Sequence, residues 1–200
     1  MNAATSRRLT LDDIADLRAY ERERAEFRQH VIALKRRRRV AVGPYVTLLF
    51  ENRDTIRFQI QEMARVEKII SDEGIQNELD AYNPLIPEPG HLSATMFIEL
   101  TSEALLREWL PKLVGIERTL SLVLADGTEV AATVEGGHAE QLTRDDITAS
   151  VHYIEWSFAP AQIEAFAEGG ATLRCAHPAY RESTPLGPET VAELAADLRG

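Results

Sequence analysis

Residues 83 to 90 read Asn-Pro-Leu-Ile-Pro-Glu-Pro-Gly, three prolines and a glycine in eight positions. Proline fixes φ and removes a backbone donor, so this stretch can be neither helix interior nor central strand. Whatever the chain folds into must turn or stop here. A length of 200 residues still suits one compact unit, and that is the expectation for residues 1–200, with this stretch as the place to subdivide into 1–85 and 92–200. At 44% hydrophobic and 27% charged residues, the chain carries enough apolar surface to fold by itself.

Before the break, Thr10 and Asp13 have the spacing of a shortened capping box, with Leu9 and Ile14 placed as a hydrophobic staple. A helix is expected to start there and run to about residue 36. Leu17, Tyr20, Arg24, Phe27, Val31 and Leu34 recur at steps of three and four, one stripe interrupted only by Arg24. From Val40 the period becomes two. Val40, Val42, Val46, Leu48 and Phe50 precede the turn-prone Glu51 to Asp54, and Ile56, Phe58 and Ile60 alternate with Arg57, Gln59 and Gln61. The pattern predicts a β-hairpin whose second strand is residues 56–60. A helix with Met63, Val66, Ile69 and Ile70 follows, and Gly74 separates it from a short amphipathic piece carrying Ile75, Leu79 and Tyr82.

After the break, Leu92 to Leu100 is a predicted strand and Ser102 opens a helix that Pro111 ends. Leu120 to Leu124 and Val130 to Val134 flank Asp126-Gly127, the dipeptide that favours a tight hairpin turn. Residues 142–147 echo residues 9–14, which marks two similar capping turns. Val151 to Phe158 is β-branched and aromatic, Pro160 starts a helix stopped by Gly169-Gly170, Ala171 to Ala176 is the last expected strand, and Pro188 begins a terminal helix. The fold class expected is α+β: a mostly antiparallel sheet built from hairpins, with a long N-terminal and a C-terminal helix.

One cysteine, Cys175, precludes an internal disulfide, which points to a reducing compartment, and the N-terminus lacks the apolar core of a signal peptide. With no run near the roughly 18 apolar residues of a membrane span, the expected location is the cytoplasm, away from membranes. The net charge of −10 is uneven. Residues 1–40 hold 11 of the 22 Lys and Arg but 6 of the 32 Asp and Glu. Such asymmetry calls for an electrostatic partner, in the first instance the protein's own acidic body or that of a second subunit. The N-terminal helix is longer than one domain needs, so a homodimer through it is expected.

If Ile56, Phe58 and Ile60 face a core, Arg57, Gln59 and Gln61 project together, joined by Tyr45 and Thr47 across the hairpin and by Glu62. Arginine and amide groups suit a small polar or anionic ligand or a protein partner. An enzymatic alternative would use Arg57 to orient an anionic substrate, with Glu62 or Tyr45 as acid or base. Other chemistries have weaker signals. His138, His152, Glu155 and His177 lack metal-ligand spacing, there is no nucleophile elbow or glycine-rich phosphate loop, and Cys175 sits among apolar strand residues as an inert core thiol. No metal and no cofactor is expected. The run Lys35 to Arg39 has no interleaved aromatics and straddles a helix end, so nucleic acid is not the expected partner.

The text from Arg36 to Ile70, RRRRVAVGPYVTLLFENRDTIRFQIQEMARVEKII, with LTLDDIADLRAYERER before it, NPLIPEPG after it and HPAY at His177 to Tyr180, resembles a bacterial family of about this length known only as a domain of unknown function. The resemblance implies genes lying beside those for rubrerythrin-like di-iron proteins and iron–sulfur oxidoreductase subunits, and hence an accessory role in redox or peroxide-stress metabolism. The function expected is a non-catalytic binding or accessory protein.

Overall fold

The computed structural model describes residues 7–134 and 146–200. His138 and most of the 142–147 echo lie outside them. The chain divides into two units, Met1–Arg36 with Glu51–Glu88, and Arg37–Phe50 with Pro89–Gly200.

The first unit is helical. It contains a 3-10 turn at Leu11–Asp13, α1 (Leu17–Arg38, its last two residues counted in the second unit), α2 (Arg53–Glu67), α3 (Asp72–Tyr82) and a second 3-10 turn at Asn83–Leu85. The Thr10–Asp13 capping pair is present, with the Asp13 carboxylate accepting from the Thr10 N–H at 2.8 Å and its hydroxyl at 3.0 Å. It closes only one turn, and α1 begins later than expected. Gln61 explains the break: its amide accepts from the Ala15 N–H at 2.8 Å and donates to the Ala15 carbonyl at 3.1 Å, taking the two groups a continuous helix would use. Asp16 then recaps the chain by accepting from Ala19 N–H at 2.8 Å. The expected α1 stripe holds, with Tyr20, Val31 and Leu34 buried.

The strand expected at residues 56–60 is instead the first half of α2, a correction with a local cause. Asn52 accepts from the Thr55 N–H at 3.0 Å, and the Thr55 hydroxyl accepts from the Asn52 N–H at 2.9 Å. This reciprocal cap starts a helix at Arg53. Ile56, Ile60 and Ala64 then bury one face at spacings of four, a pattern that five alternating residues cannot distinguish from a strand. Lys68, in the left-handed region at φ 57°, ends α2. Gly74 lies within α3 rather than before it, its N–H donating to the capping Ser71 hydroxyl at 3.2 Å.

The second unit holds nine strands among the described residues: β1 (Arg39–Val42), β2 (Val46–Phe50), β3 (His91–Ile98), β4 (Leu120–Leu124), β5 (Glu129–Ala131), β6 (Thr133–Val134), β7 (Val151–Ser157), β8 (Ala171–His177) and β9 (Tyr180–Pro185). They form two antiparallel sheets, ordered β1-β2-β3-β7-β6 and β5-β4-β8-β9. The first hairpin is therefore β1–β2, with Leu48 opposite Val40, and it turns at Gly43 to Tyr45. The Asp-Gly hairpin forms as expected between β4 and β5, but residues 133–134 leave it for the other sheet. Strand β9 escapes sequence patterning because Tyr180 to Pro185 is an edge strand that is polar and mostly exposed. One core joins the sheets, with Leu48, Phe50, Met96 and Trp156 clustered with Leu122, Leu173 and Cys175. Helix α4 (Glu103–Trp109) follows β3, while α5 (Pro160–Gly169) packs on β4 and on α6 (Pro188–Arg199). The architecture is α+β with antiparallel sheets, as the sequence predicts.

Candidate functional site

Helix α2 redistributes the expected polar row. On a helix, residues 57 and 61 lie one above the other, whereas residue 59 points about 200° away from 57. Arg57 and Gln61 thus share a face and Gln59 leaves it, so no single file exists. Tyr45 and Thr47 belong to the second unit and Arg57, Gln59, Gln61 and Glu62 to the first.

The charged members of α2 are consumed within their own unit. Arg57 donates to the Asp13 carbonyl at 2.8 Å and to Glu23 at 2.7 Å, and its guanidinium lies 4.6 Å from the centre of the Phe27 ring. Gln61 is fully buried and clamps Ala15. Glu62 accepts from the Tyr20 hydroxyl at 2.8 Å, from Arg24 Nε and Nη2 at 2.7 and 3.0 Å, and from Arg65 at 3.1 Å. The Arg24 hydrogen bond, acting against partial burial and joined by those from Tyr20 and Arg65, holds the Glu62 carboxyl down at about 2. Burial and the adjacent Glu62 push the Tyr20 phenol up. A carboxylate so saturated is a poor proton acceptor near neutral pH. The Gln59 side chain makes no hydrogen bond to another described residue.

Tyr45 and Thr47 serve the second unit. The Tyr180 hydroxyl accepts from the N–H of Tyr45 at 2.9 Å and of Val46 at 3.3 Å and donates to the Val42 carbonyl at 2.7 Å. It thereby closes the β1–β2 turn. Tyr45 stacks with Trp109 and Tyr180, centroids 4.9 and 6.2 Å apart, and Thr47 donates to Glu99 at 2.6 Å. Gly43 is required here, since at φ +70° a Cβ would fall 2.5 Å from the Tyr180 hydroxyl.

The basic run is largely neutralised inside the chain. Arg37 and the buried Arg38 pair with Glu193 at 2.6 and 3.2 Å, Arg38 also with Asp197 at 2.6 Å, and Arg39 with Glu99 at 3.3 Å. Lys35 lies 5.5 Å from the Phe58 ring centre, and Arg36 is exposed. His152 and Glu155 point to opposite faces of β7, as alternation requires. His91 Nδ1 meets both Glu155 (2.7 Å) and the Ser157 hydroxyl (3.0 Å). Because both partners use one nitrogen, the group lacks the relay in which a base takes the serine proton on the nitrogen remote from its carboxylate. No cluster of three metal-ligating side chains occurs among the described residues.

The first unit also holds an apolar recess. It is about 280 Å³ in volume, and Leu11, Ile14, Leu17, Ile69, Ile70 and Ile75 line it, with Ala15 and Ala64 also contributing and Asp16, Arg18 and Asp72 as its charged members. The Gln61 clamp on Ala15 fixes one wall. Two of the lining residues face solvent, Leu11 at 37% and Ile70 at 85% exposure, whereas Val66, 65% exposed, lies outside the lining, about 200° around α2 from Ala64. Sequence reasoning missed these residues because α2 was expected to begin later. With α2 running from Arg53 to Glu67, Val66 falls off the buried Ile56–Ile60–Ala64 stripe and Ile70 lies beyond the helix, in the link to α3. A second, more open groove of about 760 Å³ in the other unit runs past Ala125, Gly169, Gly170 and Val191.

The molecule is thus an α+β protein in which a helical unit with an apolar recess accompanies a two-sheet antiparallel unit. It belongs to the family described as Protein of unknown function (DUF3501), whose model matches residues 8–198. A solved structure of a novel protein of unknown function from Burkholderia pseudomallei K96243 is similar to it, with 39% sequence identity and a TM-score of 0.87 over 95% of this chain and 98% of that one. No curated protein matches.

Proposed function

We propose that the chain is a non-catalytic binding protein with an accessory role, and that it makes its contact through the apolar recess of the first unit. The observation carrying this is the exposure of Leu11 and Ile70, at 37% and 85%, in the lining of a cavity that is mainly aliphatic. Clustered solvent-facing aliphatic side chains with a recess between them are a feature of association surfaces. The recess is smaller than the roughly 300 to 1,000 Å³ of small-molecule sites, so it suits a side-chain anchor. The saturation of Arg57, Gln61 and Glu62 supports placing the contact here rather than on the polar row.

A cytoplasmic setting beside redox or peroxide-stress enzymes is part of the proposal and rests on the family resemblance described above. Self-association through α1 is its second component, favoured by the exposed Ile32 on that helix. Sedimentation equilibrium of wild type and Ile32→Asp tests it, since a species that stays monomeric at high concentration removes that component. For the recess, titration with an environment-sensitive apolar dye should give one saturable site in the wild type that disappears in Leu11→Ser/Ile70→Ser. Equal dye binding by the two proteins would refute the placement.

A further inference from the structure

Resting on the recess as contact surface, we infer that its partner is a protein segment presenting short aliphatic anchors flanked by basic residues, in the manner of a cationic amphipathic helix. Charge decides between the classes of partner. The stretches that build the recess and its surroundings, residues 9–18 and 64–80, carry eight carboxylates (three in the first, five in the second) against the three cations Arg18, Arg65 and Lys68. Arg65 is already committed to Glu62, and Asp13 to Arg53. That leaves Arg18 and Lys68 facing Asp12, Asp16, Glu67, Asp72, Glu73 and others. Crowding has a local signature: burial and the neighbouring Glu67 raise the Glu78 carboxyl. A nucleic acid or an anionic lipid surface would meet repulsion here, whereas a cationic polypeptide meets complementary charge.

Geometry agrees with charge. The lining side chains come from three pieces of chain, the first 3-10 turn with the start of α1, the end of α2 with the link that follows it, and the start of α3. The recess admits one or two aliphatic side chains, and its exposed lining residues Leu11 and Ile70 carry the apolar surface out to solvent. Anchors one helical turn apart are the pattern by which a helix occupies such a surface. Of the acids nearby, Asp16 is engaged as the cap of α1, whereas Asp72 and Glu73 stand exposed in the first turn of α3, free to meet a partner's cations.

The test uses the full chain and two labelled helical peptides with leucines at i, i+3, i+4 and i+7, one with lysine flanks and one with glutamate flanks, followed by fluorescence anisotropy. The lysine peptide is expected to bind about ten-fold more tightly at about 50 mM salt, as several exposed pairs compound. The gap should close at about 500 mM salt and narrow in Asp72→Asn/Glu73→Gln. Both peptides should be lost in Leu11→Ser/Ile70→Ser, whose thermal midpoint stays at the wild-type value because both side chains are exposed. Equal affinity for the two peptides would overturn the basic partner and leave the recess as a contact surface. Binding of neither would overturn the recess itself. Tighter binding to phosphatidylserine vesicles than to the lysine peptide would overturn the inference in favour of a membrane surface.

Discussion

Replacing Glu62 with glutamine should destabilise the first unit by about 2 to 3 kcal/mol. Four donor atoms converge on this carboxylate at 2.7 to 3.1 Å. Glutamine keeps one acceptor oxygen for Tyr20 and Arg24 Nε but turns an NH2 group toward Arg24 Nη2 and Arg65, donor against donor. The size follows from the carboxyl's descent from 4.5 to about 2, worth about 3 kcal/mol at roughly 1.4 kcal/mol per unit, trimmed because the side chain is 23% exposed and partly screened. In a chain of this size that lowers the thermal midpoint by roughly 5 to 10 °C, readable by calorimetry. The pH dependence supplies a second readout. A carboxyl depressed in the folded state stabilises above its unfolded value of 4.5, and that stabilisation is lost as pH falls through about 2. The gap between wild type and Glu62→Gln should therefore shrink by more than half between about pH 6 and about pH 3. A variant that melts within about 1 °C of wild type, or a gap indifferent to pH in that window, would show that the carboxylate does not bind α1 to α2.

Asn52→Ala should cost about 1 kcal/mol by removing the α2 cap, with faster amide exchange confined to the first turn of α2; unchanged exchange there would contradict the capping assignment. Gly43→Ala should cost about 2 kcal/mol or more, since the left-handed backbone and the Tyr180 hydroxyl both oppose a side chain, and urea unfolding with an unaltered slope would measure it. Arg38→Ala should cost about 3 kcal/mol by leaving Glu193 and Asp197 short of their buried partner, while Arg36→Ala, exposed two residues earlier, stays within about 0.5 kcal/mol. Similar melting of those two variants would show that Arg38 is not the structural cation of the run.

Fold class was legible because it depends on periods that survive local error. Val40 to Phe50, Leu92 to Ile98 and Val151 to Phe158 alternate strongly enough to be strands in any context. The α1 stripe likewise appears with its single polar member, Arg24, whose partner Glu62 explains the exception. Residues 56–60 were not legible from periodicity, because an isoleucine at 56 and another at 60 satisfy a strand and a helix equally. Asn52 with Thr55 held the answer, but an asparagine at a turn is also what a hairpin would use. The start of α1 was hidden for a different reason: Gln61, forty-six residues away from Ala15, supplies the bonds that interrupt it. The candidate site followed these local outcomes, since moving one boundary from Gln61 to Arg53 engages the polar row internally, and the end of α2 at Glu67 leaves Ile70 outward in the link to α3.

The β1–β2 hairpin, Arg37 to Phe50, interrupts the helical unit in sequence yet belongs to the sheet unit. A ribosome therefore releases this hairpin some forty residues ahead of the strand that β2 must pair with, Ile98 against Val46. Severing the gene at the proline-rich stretch would strand the hairpin on the wrong fragment and strip β3 of its neighbour. No single cut within that stretch yields two fragments that each keep all of their own strands, so the two units are bound into one piece by the order of the chain.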